Sequence, residues 1–374
     1  MPSGGSFYAS EGDRLDMSVY IIGEAGVNHN GNLELAHELI DAAKDAGVDA
    51  VKFQTFVADS LVTLSAEKAE YQIGLTDSSE SQHDMLKRLE LTHAEFTTLR
   101  NYSEKKGISF LSTAFDNLSL DFLVNELSLQ TLKIPSGEIT NGPFLLNHAL
   151  TGRNLIISTG MANMDEIKTA LSIVAYGLIN KSKSKYPSFK DFNNAFQSDE
   201  GQNLLKEKIT LLHCTSQYPA PLKDINLLAM KHLEEEFGLS VGYSDHSKGI
   251  EVPIAAAAMG AQIIEKHFTL DCSMDGPDHL ASLEPDKLKH MVSSIRSIEI
   301  ALGNNTKNIT SSELNNRDIV RKSIFAIQDI KQGEIISEFN IGIKRPGTGL
   351  SPNLYWEILG KPATRAFKVG EEIE

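Results

Sequence analysis

The sequence has few of the features that mark secreted or membrane proteins. Its 374 residues include two cysteines, Cys214 and Cys272, which form neither a CxxC pattern nor a disulfide framework. No apolar run reaches the roughly 18 residues that a membrane helix needs. The opening stretch, residues 1–17, is polar and rich in Gly and Ser, and lacks the basic and apolar regions of a secretory signal. We therefore expect a cytoplasmic protein that begins with a loose arm.

Positive charge is also scarce. The chain has 35 Lys and Arg against 50 Asp and Glu, which gives a net charge of −15. This balance argues against a nucleic-acid or anionic-membrane partner, and an anionic ligand would need a local cationic pocket. A composition of 41% hydrophobic and 23% charged residues is that of a soluble globular protein. The length allows one domain of about 250 residues and a smaller one.

Short apolar segments alternate with helical segments through most of the chain. Examples are VYIIGEAGV from Val19, DAVKFQTF from Asp49, TLKIPSGE from Thr131 and KITLLHC from Lys208. Each is rich in β-branched residues, as strands buried on both faces are, and each carries polar residues at its C-terminal end. Eight such units predict a (β/α)8 TIM barrel over residues 18–302, with its working face at those ends. A doubly wound open sheet is the alternative, but it would not place functional groups at the end of every strand.

The remaining segments divide by composition. Residues 303–318 are polar and predict a linker, and residues 319–374 have the short strands and turns of a small β-rich domain. A core that small is weak alone, so this domain should dock on the barrel or on a partner chain. Within the barrel, the polar excursion at residues 57–82 is too long for a turn and predicts a substrate-side loop. Residues 181–202 lack clear periodicity, and we expect a surface insertion there.

Two histidines follow neighbouring predicted strands in the stretch Gly242–Thr269. His246 ends one strand and His267 ends the next, and Glu265 shares a face with His267 because alternate strand residues point the same way. Two imidazoles and a carboxylate at one spot suggest a divalent metal with a nearby base. The alternative is a pair of ordinary strand-end histidines that are satisfied by hydrogen bonds.

Several motifs resemble those of one enzyme family. They are GEAGVNHNG at Gly23, DAVKFQTF at Asp49, FLSTAFD at Phe110, KIPSGE at Lys133, ISTGM at Ile157, LHCTSQYP at Leu212, GYSDH at Gly242, EKHFT at Glu265, GPDH at Gly276 and KRPGTG at Lys344. From Val19 to Ile373 the chain resembles the sialic acid synthases, bacterial nonulosonate synthases that condense phosphoenolpyruvate with an N-acetylated mannose-type sugar. The small last domain resembles the antifreeze-like, or SAF, domain of the same family.

The resemblance implies a phosphoenolpyruvate site made of cationic and hydroxyl side chains. The implied residues are Lys52, Lys133, Thr113, Ser136, Ser158 and Ser244. Fixed positive charges and hydroxyl donors are what a phosphate and a carboxylate require. The alternative for each lysine is a structural ion pair with Glu24 or Glu138, because a buried lysine without a partner is costly.

The resemblance also implies the metal and the sugar contacts. His246 and His267 would bind Mn2+ or Mg2+, which polarises the sugar aldehyde. The positions expected at the sugar are Gln54, Phe115, Glu138, Tyr218, Asp278 and Arg345, the last from the capping domain of a partner in a domain-swapped homodimer. Phe115 and Tyr218 have core aromatics as their alternative.

Four residues are expected to act in catalysis: Glu265, Glu24, Lys52 and Lys133. Glu265 is the candidate base for the water that attacks C2 before phosphate leaves by C–O cleavage, and its alternative is a salt bridge to a lysine. Glu24 would bind a hydroxyl or orient Lys52. Cys214 is expected to be barrel packing, since no base is evident beside it.

The acceptor sugar and two other classes of function stay open at this point. N-acetylmannosamine would give N-acetylneuraminate, and 2,4-diacetamido-2,4,6-trideoxymannose would give N,N'-diacetyllegionaminate. One rival is a Schiff-base aldolase that uses Lys133 or Lys52 as nucleophile. The other is a glycan-binding protein without enzymatic activity.

Overall fold

The computed structural model describes residues 18–68, 80–181 and 187–374. The chain divides into two compact units, the first ending at Gly303 and the second beginning at Asn304. The arm expected at residues 1–17 and residues 69–79 of the expected substrate-side loop lie outside the described residues. Within the described ranges, no helix is both long enough and apolar enough to cross a membrane.

The first unit is built on eight parallel strands that close into a barrel in chain order. They are β1 (Tyr20–Gly26), β2 (Ala50–Thr55), β3 (Ser109–Ala114), β4 (Thr131–Ile134), β5 (Asn154–Ser158), β6 (Ile209–His213), β7 (Ser240–Asp245) and β8 (Ile263–His267). The predicted (β/α)8 barrel is therefore confirmed. Inward-facing Ile22, Leu111, Ile156 and Leu212 fill the barrel interior below the site, and outward-facing residues pack under the helices.

Helices cover the outside of the barrel. The described helices of this unit are Leu33–Ala46, Ala58–Leu61, Gln82–Leu89, His93–Lys106, Asn117–Asn125, Gly142–Leu150, Met164–Asn180, Phe189–Gln197, Asp199–Lys208, Ala229–Phe237, Glu251–Ala258 and Pro285–Leu302. The first shows why such segments start and stop where they do. Asn32 accepts hydrogen bonds from the backbone N–H groups of Glu34 and Leu35, and Gly47 ends the helix at φ 83°.

The strand register places the predicted site residues at one height in the barrel. Glu24 on β1 lies beside Lys52 on β2 and beside His267 on β8. Ser244 on β7 lies beside Glu265 on β8. Register partners in adjacent parallel strands point to the same face, so these five side chains converge inside the barrel.

Strand β4 is shorter than the sequence predicts. It ends at Ile134, and residues Ser136–Glu138 form a 3-10 turn instead of continuing the strand. Pro135 stands between the two segments and has no N–H to extend the strand ladder. Ser136 and Glu138 therefore reach the site from a turn.

The insertion at residues 181–202 is more ordered than expected. Its described part contains the helix Phe189–Gln197 and the start of Asp199–Lys208. Phe192 packs edge-on against Tyr176 with ring centroids 5.3 Å apart, and Ala195 is buried. The expected surface insertion is therefore helical where it is described, and Phe189, Phe192 and Phe196 have the helical spacing that the sequence analysis did not recognise.

The second unit is a small β-rich domain. Strands β9 (Ser323–Ala326) and β10 (Ile341–Lys344) pair antiparallel, and a short helix spans Tyr355–Ile358. Its core is Ile324, Ala326, Ile330, Ile336, Ile341, Ala363, Phe367 and Ile373. The helix Ser311–Val320 occupies much of the stretch that the sequence predicted to be a linker. None of its residues is buried, so it lacks the apolar stripe that would have revealed it.

Candidate active site

A cavity of about 530 Å³ opens at the C-terminal ends of the barrel strands. This size is typical of small-molecule sites. It brings together Glu24, Lys52, Gln54, Thr113, Phe115, Lys133, Ser136, Glu138, Ser158, Tyr218, Ser244, His246, Glu265, His267 and Asp278. These are all the predicted site residues except Arg345, which is exposed on the second unit directly after β10.

The floor of the cavity is a buried cluster of two lysines and two glutamates. Lys52 Nζ contacts Glu24 Oε2, lies 3.5 Å from Glu265 Oε2 and donates to Thr113 Oγ1 at 3.1 Å. Lys133 Nζ lies 3.2 Å from Glu265 Oε1. Each of the four charged residues is at most 5% exposed. Both lysines line the cavity and are ion-paired: Lys52 pairs with Glu24, as the structural alternative had it, whereas Lys133 pairs with Glu265.

The two glutamates differ in protonation because they differ in their cationic neighbours. Burial raises the pKa of Glu24 to about 7, against the attraction of Lys52. Burial would raise the pKa of Glu265 as well, but Lys133 and Lys52 together hold it well below its usual value. Glu265 also accepts a hydrogen bond from Ser244 Oγ at 2.8 Å. Near neutral pH, Glu265 is therefore an anion and Glu24 is divided between its two forms.

The two imidazoles lie side by side above this floor. The ring centroids of His246 and His267 are 5.6 Å apart. His246 Nδ1 donates to the Thr215 carbonyl at 2.7 Å, which leaves Nε2 with its lone pair. Burial lowers the pKa of His246 to about 4, and it also lowers the pKa of His267 well below its usual value. Both rings are therefore neutral, which is the form that binds metals.

The donor set fits a divalent metal that keeps open coordination positions. His267 Nδ1 is buried and finds no hydrogen-bond partner within the described residues, although Asp278 Oδ2 lies 3.8 Å away. Across those residues, no group of three His, Cys, Asp or Glu side chains converges as a metal-binding set. The described residues thus present two neutral imidazoles at this point, and a metal held by both would keep positions for water and substrate.

Both aromatic candidates line the cavity, and Phe115 also packs against a small buried cluster that includes Phe56. Tyr218 stacks on His246 at 4.1 Å between ring centroids and meets His267 edge-on at 5.7 Å. Phe115 is half-buried and meets Phe56 edge-on at 6.4 Å. Both rings therefore face the space where a substrate would lie.

One side of the cavity is apolar, and sequence reasoning did not identify it. This apolar wall consists of Val27, Phe56, Leu61, Val62, Met85, Leu86, Leu89 and Phe115. Met85 and Leu89 are four residues apart on the helix Gln82–Leu89, so they share one face. That spacing was visible in the sequence, but it equally describes helix packing against a core.

Cys214 has a packing role, as expected. Its Sγ lies 3.2 Å from Ser136 Oγ, and burial raises the pKa of the thiol. The neighbouring backbone is equally tight, since a Cβ on Gly160 would lie 2.7 Å from Ser136 Oγ. A buried, protonated thiol is a poor nucleophile.

A closed barrel with buried lysines and paired imidazoles at the C-terminal strand ends defines a (β/α)8-barrel enzyme. The chain belongs to the NeuB family: the model of that family matches residues 39–307, and that of the SAF domain matches residues 321–373. The predicted membership of the sialic acid synthase family, with its SAF domain, is confirmed.

The chain is similar to characterised synthases over nearly its whole length. The N,N'-diacetyllegionaminic acid synthase of Campylobacter jejuni subsp. jejuni is 48% identical, over 94% of this chain and 98% of that protein. The enzyme of the same name from Legionella pneumophila is 46% identical, over 95% and 93%. The crystal structure of an N-acetylneuraminic acid synthetase from Leptospira borgpetersenii superposes with a TM-score of 0.63 at 35% identity, over 80% of this chain and 90% of that one.

Proposed function

We propose that this protein condenses phosphoenolpyruvate with 2,4-diacetamido-2,4,6-trideoxymannose and water to give N,N'-diacetyllegionaminate and phosphate. The two relatives named for that product are 48% and 46% identical. The synthetase named for N-acetylneuraminic acid is 35% identical. These values favour the second of the two acceptors considered from the sequence over N-acetylmannosamine.

The observation that carries the proposal is the buried cationic floor. Lys52 and Lys133 are 2% and 5% exposed and face the same cavity as the paired imidazoles. Near neutral pH these two lysines face one ionised glutamate and one that is partly protonated, so the floor keeps a net positive charge that favours an anion. Ser158 Oγ is buried and has no hydrogen-bond partner among the described residues. It is therefore available to donate to the phosphate or carboxylate of phosphoenolpyruvate.

The metal is part of the proposal. His246 and His267 would hold Mn2+ or Mg2+, which as a Lewis acid would polarise the aldehyde oxygen of the sugar. Tyr218 stacks on His246, and the Thr215 carbonyl accepts from its Nδ1. These contacts fix the ring and its tautomer, so that Nε2 is the free ligand atom.

We assign the proton transfer to Glu24 and not to Glu265. C3 of phosphoenolpyruvate bonds to the aldehyde carbon, whose oxygen takes a proton, and C2 becomes electron-deficient. Water then bonds to C2 and gives up a proton, after which the bond between C2 and the phosphate oxygen breaks and phosphate leaves with that electron pair. The hydroxyl left on C2 loses its proton to form the carbonyl of the product. A base for this step should titrate near neutral pH. Glu24 does so, with a pKa of about 7, whereas two lysines hold Glu265 as a weakly basic anion.

The apolar wall supports the trideoxy acceptor. C6 of that sugar is a methyl group and C4 bears a second acetamido group, where N-acetylmannosamine has a hydroxymethyl group and a hydroxyl. Each buried CH₂-sized group contributes about 0.8 kcal/mol when it leaves water for an apolar surface. A hydroxyl placed there without a hydrogen-bond partner would be disfavoured.

We also propose a cytoplasmic homodimer in which the second unit of one protomer caps the barrel of the other. In the single chain, Phe339 and Trp356 are each 76% exposed on that unit, and large exposed apolar side chains often mark contact surfaces. Arg345 would then reach the sugar in the partner's cavity. The free thiols Cys214 and Cys272 fit a reducing compartment.

The test is phosphate release from phosphoenolpyruvate with Mn2+ and each of the two sugars in parallel. We expect kcat/KM to be at least about tenfold higher for the trideoxy sugar, which corresponds to the transfer of two methyl groups. EDTA should abolish turnover and Mn2+ should restore it. Higher activity on N-acetylmannosamine would overturn the choice of acceptor, and no phosphate with either sugar would overturn the synthase itself.

A further inference from the structure

A buried ion pair lies on the outer face of the two strands that carry the histidines. Lys266 Nζ is 2.5 Å from Asp245 Oδ2, and both residues are 0% exposed. They are register partners on β8 and β7. Because side chains alternate along a strand, this pair points toward the helices while Glu265 and His267 point into the cavity. The pair therefore cannot touch a substrate.

The Asp245 carboxylate also organises the turn that carries His246. Oδ1 accepts from the Tyr243 hydroxyl at 3.1 Å and from the Ser247 backbone N–H at 3.1 Å. Oδ2 accepts from Ser247 Oγ at 3.0 Å. An aspartate that bonds the backbone two residues ahead closes an Asx turn. His246 is the central residue of this turn, so its backbone direction depends on the carboxylate.

Lys266 connects this turn to the second histidine. Its ammonium donates to the Ser247 carbonyl as well as to Asp245, and the next residue in β8 is His267. The His246 ring has its own anchor at the Thr215 carbonyl. Nδ1 of His267 has no such anchor among the described residues. The spacing of the two rings therefore depends on the link between their backbones.

We propose that Lys266 and Asp245 are positioning residues that hold the imidazoles of His246 and His267 at a metal-binding spacing. The proposal rests on the metal site included in the proposed function. Stability alone does not account for the pair, because replacing a buried ion pair by apolar groups of similar volume is often neutral or stabilising. Partners that orient metal-binding histidines typically change metal affinity about 10- to 100-fold when they are removed.

The experiment measures Mn2+ binding to the purified full-length protein without substrates, from the electron paramagnetic resonance signal of free Mn2+. The test variants are Lys266→Met and the paired change Asp245→Asn/Lys266→Met, which leaves no uncompensated charge. We expect the Kd for Mn2+ to rise about 10- to 100-fold in both. The Kd for phosphoenolpyruvate should stay within about twofold, because Lys52 and Lys133 are untouched.

A matched control is available on two other strands of the barrel. Thr55 Oγ1 and Ser112 Oγ form a buried bond of 2.7 Å on the outer face of β2 and β3. The change Thr55→Val/Ser112→Ala removes a polar link between strands that carry no histidine. It should lower the melting temperature and leave the Kd for Mn2+ unchanged, so it separates loss of stability from loss of positioning.

The outcomes separate this proposal from the metal site itself. If the unaltered protein does not bind Mn2+, or if His246→Ala and His267→Ala bind it equally well, the metal part of the proposed function falls and this proposal with it. If only the histidine variants lose binding while a folded Lys266 variant keeps its Kd, the positioning role is overturned. A parallel loss of phosphoenolpyruvate affinity would also overturn it. Should both Lys266 variants fail to fold, Tyr243→Phe removes one bond to Asp245 and must still weaken Mn2+ binding about threefold.

Discussion

Replacing Lys133 by methionine tests the cationic floor directly. Methionine keeps the length of the side chain and removes the charge. Glu265 would retain Lys52 at 3.5 Å and the Ser244 hydroxyl at 2.8 Å. No buried carboxylate is left unpaired, so we expect the barrel to stay folded.

The expected loss of affinity follows from the charge and its burial. Two unit charges 4 Å apart interact by about 4 kcal/mol at an effective dielectric constant near 20. Lys133 already shares part of its charge with Glu265 at 3.2 Å, and hydrogen bonds to charged groups contribute about 1.5–3 kcal/mol. We therefore expect Lys133→Met to cost about 2–3 kcal/mol, which raises the Kd for phosphoenolpyruvate about 30- to 150-fold.

Calorimetric titration of phosphoenolpyruvate, with circular dichroism as the check on folding, measures this change. Lys44→Met is the matched control, because Lys44 is exposed and donates to the Gly107 carbonyl on the outside of the barrel. A change below about threefold in folded Lys133→Met would refute the assignment of the floor to the anion. Borohydride treatment with sugar and phosphoenolpyruvate should trap no adduct, whereas a Schiff-base aldolase would be trapped at Lys133 or Lys52.

Three further predictions concern different parts of the molecule. Glu24→Gln should lower kcat about 10²- to 10⁴-fold in a turnover assay. In a separate binding assay the Kd for phosphoenolpyruvate should be unchanged or lower. An unchanged kcat would show that Glu24 is not the base. Arg345→Ala should mainly raise KM for the sugar. When Arg345→Ala and Lys133→Met chains are co-expressed, half of the dimers are hybrids. In each hybrid, the barrel with Lys133 receives Arg345 from its partner, so one of the two sites is intact and about a quarter of wild-type activity should return at low sugar concentration. If Arg345 served the barrel of its own chain, no activity would be restored. Burial lowers the pKa of His148 to about 4. The folded state therefore keeps this imidazole neutral while the unfolded chain, with a pKa near 6.5, takes up a proton, so the free energy of unfolding falls as pH drops from about 6.5 toward 4. His148→Leu should reduce the fall in unfolding free energy between pH 7 and pH 5, measured in urea, by about 2 kcal/mol, and an unchanged fall would contradict the pKa.

The barrel and the membership of the site were predictable because both follow from period and position. Strands buried on both faces read as short apolar runs, and parallel strands deliver their last residues to one end. That rule alone brings His246 and His267 together. The convergence of Lys52 and Lys133 on the same cavity follows from it as well.

Features that depend on contacts between distant segments were not predictable. Phe192 of the helix Phe189–Gln197, for example, packs on Tyr176 of the helix Met164–Asn180. The apolar wall joins residues from four separate segments, and each of them alone resembles ordinary packing. Hydrophobic period reports which face is buried but not what lies against it.

The sequence also could not show how many lysines surround each of the two candidate bases, Glu24 and Glu265. In the sequence, Glu265 was the better candidate because it shares a face with His267. That same position puts it within 3.5 Å of both lysines, and two cations make a carboxylate a weaker base. Glu24 contacts Lys52, and Lys133 acts on it more weakly, so burial dominates and raises its pKa to about 7. Strand position therefore locates the pair, and under the proposed function the number of lysines in contact with each carboxylate favours Glu24 as the base.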